Sequence, residues 1–338
     1  MLHGLTLDLP VIWSGIIALA ILMYVVLDGF DLGIGILFVL NKNEDDRNKM
    51  IASIAPIWDG NETWLVLGGG GLLAAFPAAY SILLPALYIP IMLMLFGLVF
   101  RGVAFEFRPN ARGSRPFWDL GFWLGSVVAT LAQGVALGAF ITGFPQTILA
   151  AQDGSYSFLT VFNLMCGIGL VAGYALLGAC WLILKTDGAL RERCFAQAFT
   201  LGIVLAGYLA MISIWTPLTH PRVAERWFSF PNFLFLAPIP LAAGFCWLNM
   251  MRSLGQRREM APFLSAIAMF ILSSFGIGIS AWPYIVPHIL TIHDAAAPEK
   301  SQGFLLIGVI GLLPLILGYT AHSYWVFRGK VADSDGYH

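Results

Sequence analysis

Nine strongly apolar stretches, each near the length that crosses a bilayer, fill this chain from end to end. A spanning helix needs about 20 apolar residues, with a range of about 17–25. In hydrocarbon only helices and closed barrels satisfy their own backbone polar groups. The stretches run over 9–40, 50–75, 79–106, 117–143, 159–184, 195–217, 232–252, 262–287 and 303–327. Of the 338 residues 59% are apolar and 11% charged, against about 25% charged in soluble domains. The reading is an all-α polytopic membrane protein with about nine transmembrane helices, forming one integral membrane domain over 1–338. The net charge of −1 and the absence of any basic run point away from nucleic acid.

The N-terminus does not read as a cleavable signal peptide. No Lys or Arg precedes the first apolar run, which is far longer than the roughly 7–15 residues of a signal core. The four cysteines, Cys166, Cys180, Cys194 and Cys246, form no Cys-x-x-Cys pair and fall in or beside the spans. They read as small buried hydrophobes, and no metal site is expected.

Lysine and arginine set the orientation. One side of the predicted topology carries Arg222, Arg226 and Lys300, and the other carries the remaining fifteen of 18 basic residues. The positive-inside rule then puts the N-terminus outside and the C-terminus in the cytoplasm. The longest linkers, about 144–158, 218–231 and 288–302, fall outside. None could house a soluble catalytic domain, so the chemistry is in or at the membrane.

Two spans carry acids. The first reads Asp28-Gly29-Phe30-Asp31-Leu32-Gly33, and the second reads Trp58-Asp59-Gly60-Asn61-Glu62-Thr63-Trp64 before a run from Gly68 to Gly71. Residues three apart share a helix face, which pairs Asp28 with Asp31 and Asp59 with Glu62. Intramembrane acids are costly and mark ion sites or proton relays. Counted at 1.5 Å per residue, both pairs fall at matching depths in the cytoplasmic half. Four close carboxyl groups should share protons or a cation, and Arg101 is the candidate counter-charge. Glu106, Arg108 and Asp119 follow on the same side. A static polar cluster that holds helices together is the alternative. Gly29 and Gly33, four apart, would let another helix approach closely.

The histidines, His3, His220, His288, His293, His322 and His338, lie in linkers, tails or span ends. None can clamp a haem between helices, so no redox centre is expected on this chain. Trp58 and Trp64 sit deep for membrane tryptophans, which favour interfaces. They either pack against different neighbours or line a pocket or gas path.

The segments Asp28–Gly35 and Ile54–Trp64 resemble signature stretches of subunit II of bacterial cytochrome bd-type quinol oxidases. Phe100–Arg108, Trp118–Ser126 and Ala281–Pro287 are similar as well, so the resemblance spans nearly the whole chain. It implies a haem-bearing subunit I of related fold, carrying haem b and haem d, in a complex that oxidises quinol and reduces oxygen to water in the bacterial inner membrane. Membrane lipids, quinone and a small accessory subunit are the further expected partners. It also implies that Asp59 belongs to a proton route from the cytoplasm, supported by Glu62, Asp28 and Asp31, with Arg101 balancing charge. Trp64, with Trp58 near it, would border an oxygen path. Where family members have Gln, this chain has Glu62, which adds an acid to the route. The short linkers look like those of the cyanide-insensitive branch. A rival reading is a proton-coupled secondary transporter, which the acids and a broken, glycine-rich second span would suit.

Overall fold

Apolar runs become helices here wherever proline does not interrupt them. The computed structural model describes residues 7–111, 113–144 and 158–331. Its elements are α1 (Leu9–Phe38), α2 (Glu44–Ala52), α3 (Trp58–Ala75), α4 (Pro77–Ala86), α5 (Tyr88–Phe107), α6 (Arg115–Thr142), α7 (Val161–Lys185), α8 (Gly188–Thr219), α9 (Pro221–Phe228), α10 (Asn232–Leu236), α11 (Pro238–Gly255), α12 (Met260–Ala281), β1 (Tyr284–Val286), β2 (Leu290–Thr291) and α13 (Glu299–Val326). His3, Arg112 and His338, and most of the 144–158 linker, lie outside the described residues.

Four predicted stretches are divided, the seventh only by a turn at Ala237. The second splits at Pro56, which has no N–H to offer Ala52 and so cannot carry the helix through. Its first part, α2, is polar, opening on Glu44, Asp45 and Asp46, with the Asn43 side chain accepting from the Asp45 amide at 2.8 Å. The third divides at Leu87, three residues before Pro90. The eighth ends at Ala281. Its remainder turns into the antiparallel β1–β2 hairpin, where prolines 283 and 287 cannot extend a helix.

Among the described residues, eight helices are long and apolar enough to span a membrane. The 18-residue α3, with Asp59 and Glu62 in its first turns, is not one of them, and it packs beside α1. Before its start, the Ser53 carbonyl accepts from Trp181 Nε1 at 3.3 Å. At its far end the Ala75 carbonyl accepts from the Ala297 amide at 2.8 Å. Its predicted break is also corrected: the helix runs unbroken through Gly68–Gly71.

The linkers sort to two ends. At the basic end Arg47 and Arg108 both bind Asp119, at 2.7 and 2.5 Å, and Arg108 also reaches Glu44 at 2.8 Å. Arg193 pairs with Asp46, and Lys330 with Asp187 and Glu259. The linkers that follow α1, α5, α7 and α11 therefore meet one another and the C-terminal segment. At the opposite end His293 pairs with Asp8 at 3.0 Å. Arg222 on α9 donates to His288 Nδ1 at 2.6 Å. This clustering is what the charge asymmetry requires.

Close helix crossings use glycine. A Cβ added at Gly33 on α1 would lie 1.8 Å from the Tyr174 carbonyl oxygen of α7, and one at Gly178 would lie 2.5 Å from the Gly33 carbonyl carbon. Gly97 on α5 and Gly125 on α6 meet the same way, at 2.7 and 2.6 Å. The expected approach at Gly29 and Gly33 is thus present, and its partner is α7. Beside it Phe30 stacks on Trp181, with centroids 4.4 Å apart, and meets Phe263 and Tyr324 edge-on. Aromatic pairs of this kind add about 0.5–1.5 kcal/mol each beyond simple burial. They tie α1, α7, α12 and α13 together.

His288 sits in the hairpin turn with φ of 67°. Partial burial, then the charges of Arg222 and His220, hold its imidazole below the ordinary range. A group whose pKa is depressed on folding stabilises the fold above its unfolded value, about 6.5, and loses that contribution as pH falls through the folded value. The wild-type protein should therefore lose thermal stability below pH 6.5 more steeply than a His288→Gln variant, whose amide oxygen accepts from Arg222 at every pH. Parallel melting curves for the two proteins would contradict this.

Candidate functional site

The acids of α1 are buried because α1 is surrounded, touching α3, α6 and α7 along its second half. Asp28 and Asp31 are both 0% exposed. Arg101 reaches them from α5, itself 2% exposed. Its Nη1 donates to Asp28 Oδ1 at 2.7 Å, and its Nη2 donates to Glu62 Oε2 on α3 at 2.9 Å. One guanidinium thus bridges carboxylates of two helices, a task its planar fork suits better than a lysine would. Trp58 covers the guanidinium, with the Arg101 carbon 6.0 Å from its ring centroid, and packs against Phe105 at 5.3 Å.

Asp31 takes a different partner. Asn61, 1% exposed, donates from Nδ2 to Asp31 Oδ2 at 2.8 Å. The Asn61 oxygen accepts from the Tyr324 hydroxyl of α13 at 2.9 Å. A second string leaves Asp28. The Tyr24 hydroxyl lies beside its carboxylate and accepts from Gln133 Nε2 at 2.7 Å, while Gln133 Oε1 accepts from Tyr174 at 3.1 Å. Asp28 Oδ2, Asp31 Oδ1 and Arg101 Nε meet no hydrogen-bond partner among the described residues.

The structure brings together Asp28, Asp31, Glu62 and Arg101 and sets Asp59 apart. Because α3 starts at Trp58 and not near Met50, Asp59 falls in its first turn, while Glu62 lies level with Asp28, both bound by Arg101. Asp59 is exposed, and Glu62 one turn on is half-buried. Along the same uncovered side of α3 lie Thr63, Val66, Gly70 and Leu73. Trp64 points the other way, 1% exposed against Ala20 and Tyr24. Its indole N–H finds no acceptor among the described residues. The two tryptophans do serve different neighbours.

Sequence reasoning placed Asn61 beside the acids without a role, and it missed Tyr24, Gln133, Tyr174 and Tyr324. Gln133, a lone amide in an apolar span, was a readable signal. The tyrosines were not, because tyrosine is common at span ends. Asp119 and Arg108 form their own network at the basic end, away from the acid cluster.

The family model of cytochrome bd terminal oxidase subunit II matches residues 9–327. The chain belongs to that family. Cytochrome bd-I ubiquinol oxidase subunit 2 of Escherichia coli (strain K12) is 30% identical over 363 residues, covering 96% of this chain and 95% of the relative. Cytochrome bd ubiquinol oxidase subunit 2 of Bacillus subtilis (strain 168) is 26% identical, covering 96% and 97%. Among solved structures, bd oxidase from Geobacillus thermodenitrificans matches with a TM-score of 0.77 at 19% identity, over 95% of this chain and 99% of that one. The last is a likeness of fold.

As a bd oxidase subunit II, the chain is a multi-pass membrane component of an oxygen-reducing oxidoreductase complex with a subunit I partner. The transporter reading is not favoured. The family match carries that, and the glycine run at 68–71 does not break α3. The five segments that carried the resemblance all lie in the matched range. The first two supply every carboxylate of the site, and Phe100–Arg108 supplies Arg101.

Proposed function

We propose that this subunit II supports a haem-bearing subunit I, the carrier of haem b and haem d, and leads protons toward the place where oxygen is reduced. Quinol is the electron donor of the complex. The complex lies in the bacterial inner membrane with the basic end of this subunit in the cytoplasm, in contact with lipid and quinone and open to a small accessory subunit. One observation carries the reading. Asp28 and Glu62 bind one guanidinium, and a third carboxyl group, Asp31, lies three residues from Asp28 and accepts from Asn61, leaving an excess of negative charge that a proton can balance. Among the described carboxyl groups of the cluster, Asp28 and Asp31 are buried and Glu62 is half-buried, one turn from exposed Asp59.

Asp59 and Glu62 share the uncovered side of α3, and carboxylates there are costlier against lipid than against protein or water, by up to about 2.5–3.5 kcal/mol at a helix centre. The uncovered side of α3 is therefore the side that subunit I covers, and Asp59 sits at the join. Asp59 takes protons at the basic end, and Glu62 lies one turn inward on the same helix side. Arg101 holds Glu62 and Asp28 in register. Trp64 forms part of the apolar wall of an oxygen path.

Exchanging the carboxyl for an amide tests this. Asp59→Asn should assemble with its haem-bearing partner and lower quinol-driven oxygen consumption by about 10²-fold, within the range one proton-transfer group contributes. Wild-type turnover in an assembled Asp59→Asn complex would end the relay role of Asp59. Loss of the complex would return the acids to a structural part.

A further inference from the structure

The last helix, α13, is barely seated in its own bundle. Among its residues only Gln302 and Leu306 are buried. Polar contacts at three places fix it, around Gln302, Lys185 and Tyr324. Near its start Gln302 Nε2 donates to the carbonyls of Ala75 and Ala297, at 3.4 and 3.1 Å, while the Gln302 carbonyl accepts from Trp13 Nε1 at 3.2 Å. Near its end Lys185, 5% exposed at the close of α7, donates to the carbonyls of Phe327 and Gly329, the latter at 3.0 Å. The chain answers with the Val331 amide on the Lys185 carbonyl, at 2.9 Å. Last-turn carbonyls have no partner within a helix, so a buried ammonium on one of them anchors that end. One turn before Phe327 stands Tyr324, whose hydroxyl donates to Asn61 Oδ1.

An amide can present either its oxygen or its nitrogen to a neighbour. The Tyr324 hydroxyl donates to the Asn61 oxygen while the Asn61 nitrogen donates to Asp31, and the first bond favours the orientation that the second uses. We propose that Tyr324 is a positioning residue that holds Asn61 with its N–H toward Asp31, and that Lys185 keeps Tyr324 in place by anchoring the end of α13. This rests on the proton-path reading, in which Asp31 exchanges protons. With Tyr324 absent the amide can turn, and its oxygen then accepts a hydrogen bond from protonated Asp31 alone. The charged and titratable groups around Asp31 are Asp28 on its own helix, Glu62 on α3, Arg101 on α5 and Tyr324 itself on α13.

The test uses the complete oxidase purified from membranes, with haem content scored as assembly and quinol-driven turnover followed against pH. Tyr324→Phe keeps the ring against Phe30 and Trp181, so assembly should stay at wild-type level. Its pH–rate profile should move to higher pH, since a donor lost from an ionised carboxylate favours the protonated form. Turnover at neutral pH should change between about two- and tenfold, the span of one hydrogen bond. Lys185→Met should reproduce that displaced profile, Lys185→Arg should keep the wild-type one, and Tyr324→Phe with Lys185→Met should shift it no further than either alone. A wild-type profile for Tyr324→Phe, alongside a slow Asp31→Asn complex, overturns the positioning role and leaves the proton path standing. Failure of Tyr324→Phe to assemble makes the tyrosine structural and overturns it too. Wild-type turnover in Asp31→Asn instead removes Asp31 from the proton path on which the role depends.

Discussion

An Arg101→Met variant should fail to accumulate as an assembled complex. Arg101 is 2% exposed and satisfies carboxylates on two other helices at once. Removing one partner of a buried ion pair costs about 3–5 kcal/mol, because the remaining charge stays buried without compensation. Two carboxylates lose their partner here, and a whole domain is stable by only about 5–15 kcal/mol. The methionine fills similar volume, so a loss of assembly reports charge and not a void. Arg101→Lys should recover part of the loss, since an ammonium can face one carboxylate but lacks the fork that reaches both. Pairing Arg101→Met with Asp28→Asn should also recover part, by removing the stranded charge. Haem recovered per milligram of purified membrane protein measures each case. Wild-type recovery for Arg101→Met would mean that the cluster does not depend on its cation.

Among the described glycines, Gly33→Ala should be the most damaging substitution. The new carbon would fall 1.8 Å from a backbone oxygen of α7, and backbone cannot step aside as a flexible side chain can. Overpacking costs about 1–3 kcal/mol, and here the two helices must separate, loosening the Phe30–Trp181 stack as well. Gly15→Ala on the same helix is the control. Nothing lies within 4 Å of its added carbon, and alanine is better than glycine in a helix interior by about 1 kcal/mol. Detergent melting temperatures should fall for Gly33→Ala and hold or rise for Gly15→Ala. Equal values would mean that the α1–α7 crossing can widen freely.

Bundle and linker ends were legible because hydrocarbon leaves a chain few options. Apolar length marks each passage, and Lys and Arg mark the end at which linkers gather. The divisions were harder to see. Pro56 lies in a stretch apolar enough to look continuous, so α3 seemed to start eight residues early, and Asp59 seemed to lie well inside a helix that it in fact opens. The reverse error came from Gly68–Gly71. Four glycines look like a break, yet a helix packed against Ile17 and Ile21 carries them through. Within the site, Asp28, Asp31, Glu62 and Arg101 announced themselves, because charge in an apolar run is rare. Tyr324 did not, since it is one aromatic among many and lies 263 positions from the amide it holds. Only folding brings the last helix beside the third.

Proton uptake during oxygen reduction, followed in the reconstituted complex from the face that bears the basic end of this subunit, is the most direct test of the central claim. The account expects an Asp31→Asn complex with full haem content to take up protons markedly more slowly than wild type. Uptake and turnover at wild-type rates in that complex would contradict it, and would leave the buried acids as a device for holding helices together.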